Sequence, residues 1–218
     1  MSDLTLAIGN RNYSSWSLRA WVMLRHLGLK FSERQFLLDT PTFHSEVAAF
    51  SPTRRVPVLR DGELVVWDSL AICEYACELA GRGWPRESAA RAVARSVAAE
   101  MHSGFAALRA QWPMNVRARG RKVSMTVALR ADLERIDAIW SDCRARFGGG
   151  GNWLFGAQYT AADAMFSAVV MRLRTYGAPL GATSLRYMEA ALDDPILNEW
   201  IRAAQAEPWI IEADEAGQ

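Results

Sequence analysis

The order of strand-like and helix-like segments near the N-terminus is the feature that most limits the fold of this chain. Leu4–Gly9 is a short apolar segment typical of a buried strand. A polar loop leads into Trp16–Leu27, in which apolar residues recur at helical spacing. Gly28 then follows as a helix-terminating residue, so this segment is predicted to be a helix. Lys30–Leu38 has the pattern of a second strand. Strand, helix and strand in this order predict a parallel pair joined by a crossover helix.

A predicted hairpin and a second helix complete this region. Two strand-like segments, Val58–Arg60 and Leu64–Trp67, flank an Asp-Gly pair, which is a strong hairpin-turn signal. The next helix is predicted to begin at Asp68 or Ser69, both good capping residues. The order β-α-β followed by β-β-α is that of the thioredoxin fold. Residues 1–81 are therefore predicted to form a thioredoxin-like α/β domain.

All the long patterns in the rest of the chain are helical. Residues 82–87 have the composition of a linker, and residues 88–218 are predicted to form an all-helical domain. Apolar residues recur at three and four positions along one predicted long helix, Val93–Trp112, and along another, Leu129–Phe147. A further helix begins with a threonine followed three residues later by Asp163, close to a capping box. The predicted fold class is thus an α/β thioredoxin-like domain plus an all-α C-terminal domain.

Composition limits the possible partners and location. The 218 residues carry a net charge of +1, which gives no general attraction to nucleic acid or to an anionic membrane. The basic segment Arg117–Lys122 lacks interleaved aromatics and is predicted to be a solvated loop. The N-terminus resembles no signal peptide, and no apolar run could span a bilayer, so a soluble cytoplasmic protein is expected.

The cysteines and histidines suggest neither a disulfide framework nor a metal site. There are three of each, in no metal-ligand spacing. Cys73 and Cys77 would share one helix face and are expected to be small buried apolar residues.

Two adjacent serines precede the first predicted helix. Ser14 and Ser15 could simply cap this helix. They could also hold a reactive anion, because a helix N-terminus offers unpaired N–H groups and the positive end of its dipole. A thiol bound there would ionise more readily than in water.

Two further features point to peptide recognition. Pro57 follows Val56 at a strand start and could be an ordinary edge proline or a cis proline, in which case the Val56 backbone would face an extended peptide. Asp68 and Ser69 could cap their helix, or bind a ligand ammonium and carboxylate there, and the two roles are compatible. Together with the serines, these features describe a site for a small zwitterionic peptide that carries a thiol.

At this point the chain resembles the cytosolic glutathione transferases over essentially its whole length. "YSSWSLRAW" is similar to the S-S-C-S-x-R serine motif of the zeta class, with Trp16 where that class has cysteine. The segments "VPVL", "DSLAICEY" and "TAADAMFSAVV" are similar to the family's cis-proline, acidic-serine and capping-box segments. The residues that match the serine motif are Ser14, Ser15, Ser17 and Arg19.

The resemblance implies a function and a set of site residues. It implies an enzyme that uses glutathione as co-substrate, holds its thiolate with Ser14, or with Ser15 or Ser17 as substitute, and directs it at a small electrophile. It also implies a homodimer with a role in detoxification. The implied glutathione-binding residues are Arg55, Val56, Pro57, Asp68 and Ser69, with Arg54 as an alternative to Arg55. The candidate acceptor-pocket residues are Trp16, Met101, Phe105, Arg109 and Trp112.

The same fold also allows three alternative functions. One is a glutathione-dependent cis-trans isomerase of the maleylacetoacetate type, which Trp16 makes less favourable because it cannot supply the thiol of the zeta-class cysteine. The second is peroxide reduction. The third is a binding or regulatory protein without catalysis, since a fold alone does not fix a function.

Overall fold

The N-terminal part of the chain forms one four-stranded mixed sheet. A computed structural model describes residues 4–217. The strands are β1 (Leu4–Ile8), β2 (Ser32–Gln35), β3 (Val58–Asp61) and β4 (Leu64–Trp67). Their order in the sheet is β2-β1-β3-β4, with β1 parallel to β2 and the other neighbours antiparallel. This is the sheet that the sequence predicts.

Helices follow the strands and make up the rest of the chain. The helices of the N-terminal region are α1 (Ser15–His26), α2 (Phe43–Ala48) and α3 (Ser69–Ala80). The helices that follow are α4 (Ser88–Ser103), α5 (Ala106–Gln111), α6 (Val127–Phe147), α7 (Ala161–Tyr176), α8 (Ala182–Asp193) and α9 (Pro195–Ala206), with a short 3-10 turn at Glu212–Asp214. The predicted fold class is confirmed, whereas the proposed division at residues 81 and 88 stays a prediction.

Helix α7 is the centre of the core. All its residues except Arg174 are buried, and it packs against α1, α3, α4 and α8. Its N-terminus has a full capping box, in which Asp163 accepts hydrogen bonds from the Thr160 N–H at 2.9 Å and the Leu154 N–H at 3.0 Å. This box fixes the start of the helix that carries the core, as its sequence pattern predicts.

The prediction of one long helix from Val93 to Trp112 is wrong. Helix α4 ends at Ser103, Gly104 is extended, and Phe105 has a φ of 60° before α5 begins. Arg109 on α5 turns back and donates to the Gly104 carbonyl at 2.9 Å. The guanidinium therefore satisfies carbonyl groups that the break leaves open.

The segment after α9 returns to the loop before α1. Glu207 accepts hydrogen bonds from the backbone N–H groups of Arg11 and Asn12, at 2.8 and 3.1 Å. Arg117 donates to the Trp209 carbonyl and Arg121 forms an ion pair with Glu215. The predicted basic loop is therefore solvated only in part: Arg119 and Lys122 are exposed, whereas Arg117 and Arg121 hold this C-terminal segment in place.

Residues 4–217 lack two features that would indicate particular partners. No helix there is long and apolar enough to cross a membrane. No group of three or more His, Cys, Asp and Glu side chains within the same residues is placed to hold a metal ion.

Candidate functional site

A cavity of about 370 Å³ lies where the β3 strand begins and helix α3 starts. We call it the first cavity. It brings together all five residues that the sequence assigns to glutathione binding. Its lining residues are Trp16, Thr53, Arg55, Val56, Pro57, Trp67, Asp68, Ser69 and His102.

The N-terminus of α3 gives the first cavity its polar end. The Asp68 carboxylate accepts a hydrogen bond from the Leu70 N–H at 2.8 Å, so it caps the helix, and its second oxygen lies 3.5 Å from His102 Nε2. The Ser69 hydroxyl is buried and has no hydrogen-bond partner among the described residues. A buried hydroxyl without a partner is costly, and one at a helix N-terminus can donate to a bound carboxylate.

The opposite wall of the first cavity carries backbone groups. The Val56–Pro57 peptide bond is cis. Val56 precedes Val58, the first paired residue of β3, so its peptide groups lie outside the paired part of the sheet. The Arg55 N–H donates to the Ser51 hydroxyl at 3.2 Å, which fixes this turn.

A second cavity of about 340 Å³ adjoins the first, and Trp16, Arg55 and Val56 line both. These three residues form the partition between the two cavities. The remaining residues of the second cavity are Tyr13, Ser14, Ser15, Leu38, Arg109, Pro113, Met114, Arg172 and Asp214. A group bound in the first cavity and one bound in the second would therefore meet beside the serine loop.

Both candidate serines line the second cavity next to this partition. Ser14 occupies the N-cap position of α1, yet its side chain makes no capping hydrogen bond. Its hydroxyl instead donates to Ser17 Oγ at 2.7 Å, and Ser17 Oγ accepts from the Gly9 N–H at 3.1 Å. Simple side-chain capping by Ser14 is thus not what the structure contains, and its hydroxyl belongs to a short buried chain of hydroxyls.

The candidate acceptor residues divide into two groups. Trp16 and Arg109 line the second cavity, as expected. Met101, Phe105 and Trp112 line neither cavity and are buried in the main core, where α4 packs against α7. These three residues are candidates because they recur at helical spacing. In the structure that spacing marks the side of α4 and α5 that faces the core, not the side that faces a cavity.

Sequence reasoning missed several lining residues. His102 contacts the edge of the Trp16 ring, with 5.4 Å between ring centroids, but nothing in its sequence context marks it. The sequence does mark Arg172, because it is the one charged residue in the apolar segment "AVVMRL". All the other residues of this segment are buried in α7. The contribution of Asp214 depends on the path of the C-terminal segment, which no local pattern predicts.

The protein's own thiols lie away from this chemistry. Cys73, Cys77 and Cys143 are buried, and none lines either cavity. Burial raises the pKa of the Cys77 and Cys143 thiols to about 12, and it raises that of Cys73 as well. A thiolate at this site would have to come from a bound ligand.

Comparisons with known proteins identify the family to which this chain belongs. The family model for the glutathione S-transferase N-terminal domain matches residues 13–79, and that for the C-terminal domain matches residues 126–203. The chain therefore belongs to the glutathione S-transferase family of enzymes. The predicted family, enzyme class and co-substrate are confirmed by this membership. No curated protein of similar sequence was found.

Solved structures extend the likeness over nearly the whole chain. A glutathione transferase homologue from Burkholderia GL BGR1, solved with bound glutathione, is 25% identical with a TM-score of 0.69, over 94% of this chain and 100% of its own. A theta-class enzyme from Xanthomonas axonopodis, also with glutathione bound, is 20% identical with a TM-score of 0.66, over 92% and 98%. The tau-class enzyme from mango is 17% identical with a TM-score of 0.70, over 93% and 96%. The last two likenesses concern the fold alone.

Proposed function

We propose that the first cavity binds glutathione and that Ser14 stabilises its thiolate for attack on a small electrophile in the second cavity. The observation that carries this proposal is the junction formed by Trp16, Arg55 and Val56, at which the first cavity meets the serine loop. Asp68 would take the ammonium of the γ-glutamyl group, and Ser69 with the α3 N-terminus its carboxylate. Val56 would pair with the cysteinyl backbone, and Arg55 is the candidate for the glycyl carboxylate.

The hydroxyl chain gives Ser14 a route to this role. Once a thiolate is bound, the Ser14 hydroxyl turns its proton toward the sulfur, and Ser17 can donate to the oxygen that Ser14 then exposes. Each unit by which the thiol pKa falls below its usual value of about 8.5 needs about 1.4 kcal/mol of preferential thiolate stabilisation. One hydroxyl donor with the α1 N-terminus supplies about one to two such units.

The chemical step consists of thiolate attack. The sulfur forms a bond to an electrophilic carbon, and the leaving group departs with the bonding electron pair. The thiol proton has already passed to solvent when the thiolate forms. The same thiolate could reduce a peroxide, whereas the bulk of Trp16 and its lack of a thiol argue against the maleylacetoacetate isomerase alternative.

The remaining expectations from the family belong to this proposal. They are the zeta-class resemblance, a cytoplasmic location, a role in detoxification and a homodimer without nucleic-acid or membrane partners.

The thiolate absorbance of bound glutathione, titrated against pH, tests the proposal. In the wild type the thiol pKa should lie below its value in free glutathione. Ser14→Ala should return it toward the free value and lower kcat/KM for an electrophile about 100-fold, the effect of removing one preorganised donor. Ser15→Ala is the matched control, since it removes a neighbouring hydroxyl.

Each other outcome has a definite meaning. An equal pKa shift in wild type and Ser14→Ala would move the role to Ser15 or Ser17. Tight binding of glutathione with no shift in any variant would indicate a binding protein without catalysis. The absence of glutathione binding would overturn the proposal.

A further inference from the structure

The second cavity concentrates positive charge. Arg55, Arg109 and Arg172 line it, and Asp214 is the one carboxylate among its lining residues. The whole chain has a net charge of only +1, so this is a local feature. Apolar electrophiles would gain nothing from it, and burying cations in a binding cavity is costly.

Arg172 forms no ion pair with an acidic side chain in residues 4–217, although Asp214 is close enough to act on its charge. Arg172 is 5% exposed, and its side chain donates to two backbone carbonyls, Nε to Trp112 at 2.8 Å and Nη1 to Ala168 at 3.4 Å. Its second terminal nitrogen, Nη2, has no hydrogen-bond partner within residues 4–217. Burial and the nearby charge of Arg109 lower the pKa of Arg172 to about 10, so it remains a cation at neutral pH.

Arg109 is held in one orientation beside the Trp16 ring. It donates to the backbone carbonyls of Gly104 at 2.9 Å and His102 at 3.1 Å at the end of α4. Its guanidinium carbon lies 4.8 Å from the Trp16 ring centroid. A guanidinium fixed in this way loses little freedom when it binds an anion.

A fourth guanidinium, that of Arg19, lies against the Trp16 ring. Arg19 is fully buried, and none of its three side-chain nitrogens has a hydrogen-bond partner in the described part of the chain. Its guanidinium carbon is 4.4 Å from the Trp16 ring centroid. Burial lowers its pKa well below the usual value, and the positive charges of Arg109 and Arg172 lower it further. Arg19, Arg109 and Arg172 therefore repel one another, and a bound anion would relieve that repulsion.

We propose that the second cavity selects electrophiles that carry a carboxylate, which Arg109 and Arg172 bind while Trp16 packs against the rest of the molecule. The planar fork of a guanidinium matches a carboxylate, and charge-assisted hydrogen bonds are about twice as strong as neutral ones. This inference rests on the proposed transferase function and adds the charge of its acceptor. The carboxylate only anchors the acceptor, and the thiolate attack is unchanged.

Two nearly isosteric acceptors test the inference, 4-chloro-3-nitrobenzoate and 4-chloro-3-nitrobenzamide. With each, the glutathione sulfur bonds to the ring carbon that carries chlorine, and chloride leaves with the bonding pair. Each kcat/KM is divided by the rate constant for free glutathione, which removes the electronic difference between the acceptors. The normalised values should favour the benzoate by about tenfold or more, the effect of one charge-assisted hydrogen bond.

Substitutions locate the effect. Arg172→Met should reduce the benzoate preference about tenfold, and Arg172→Lys should keep part of it, because the charge remains and the fork is lost. Arg202→Met on the exposed side of α9 is the matched control and should leave the preference unchanged. Glutathione affinity shows whether each variant is folded. If Arg172→Met does not fold, Arg172→Lys is used to test the inference instead.

The outcomes separate this inference from the proposed function. If the wild type uses the amide as well as the benzoate after normalisation, the inference is overturned and the transferase function stands. If neither is turned over and glutathione does not bind, the transferase function is overturned. Quenching of tryptophan fluorescence then measures the affinity for the two acceptors directly, and equal affinities would overturn the anion selectivity too.

Discussion

The two cavities share Trp16 but are assembled in different ways. Most of the first cavity comes from one stretch of chain, residues 53–69, in which a turn, a hairpin and a helix start follow one another. The second cavity collects the serine loop, the α5 region, Arg172 on α7 and Asp214 near the C-terminus. Short-range structure thus builds the part that would hold glutathione, and long-range packing builds the part that would choose the acceptor.

This difference affects how each cavity tolerates change. The backbone and capping groups of the first cavity are fixed by local geometry, so a change there acts on one ligand contact at a time. In the second cavity, each side chain also carries part of the scaffold, as Arg109 does at the end of α4. We therefore expect changes in the first cavity to alter affinity for glutathione and changes in the second to alter the choice of acceptor.

The largest expected effect comes from Asp68→Ala. Removing a charged partner should weaken glutathione binding about 10- to 100-fold by calorimetry, because hydrogen bonds to charged groups contribute about 1.5 to 3 kcal/mol. The benzoate preference, measured at saturating glutathione, should not change. Asp68→Asn separates charge from capping, since it keeps an oxygen for the Leu70 N–H. A parallel loss of affinity and preference would mean that the two cavities act as one.

Ser69→Ala is expected to have smaller effects, which are opposite for binding and for stability. The Ser69 hydroxyl is 1% exposed and has no partner among the described residues. Its removal should weaken glutathione binding about fivefold to tenfold and raise the free energy of unfolding by about 1 kcal/mol, since a buried unsatisfied group is costly. Calorimetry and urea unfolding without glutathione measure the two. Ser88→Ala at the exposed start of α4 is a control, and a loss of stability in Ser69→Ala would contradict this account.

The smallest expected effect is a pH dependence of acceptor choice. Burial raises the pKa of Asp214, the Arg172 charge opposes this, and Asp39 and Glu215 raise it further. Above its pKa, Asp214 is an anion that partly neutralises Arg172; below it, the second cavity becomes more positive. The benzoate preference should therefore increase about twofold to threefold as the pH falls through the Asp214 pKa. Asp214→Asn should remove this pH dependence. If the benzoate preference decreased as the pH was lowered, in both the wild type and Asp214→Asn, the role given to Asp214 would be refuted.

What the sequence could predict follows the same division. The strand order, the turn at Pro57 and the helix start at Asp68 depend on local spacing, so the sheet and the first cavity were accessible from the sequence. The break at Gly104 was missed because the apolar spacing continues through it, although the backbone does not. The return of Asp214 to the second cavity depends on Glu207 and Glu215 and their partners far along the chain, which no local pattern reveals.

The path of the C-terminal segment also sets an order of events during synthesis. A ribosome that has released residues up to the end of α9 has exposed every lining residue of the first cavity. The second cavity still lacks Asp214, and the loop before α1 still lacks its anchors Glu207 and Glu215. The lining of the first cavity is thus complete in the nascent chain before that of the second, which waits for Asp214.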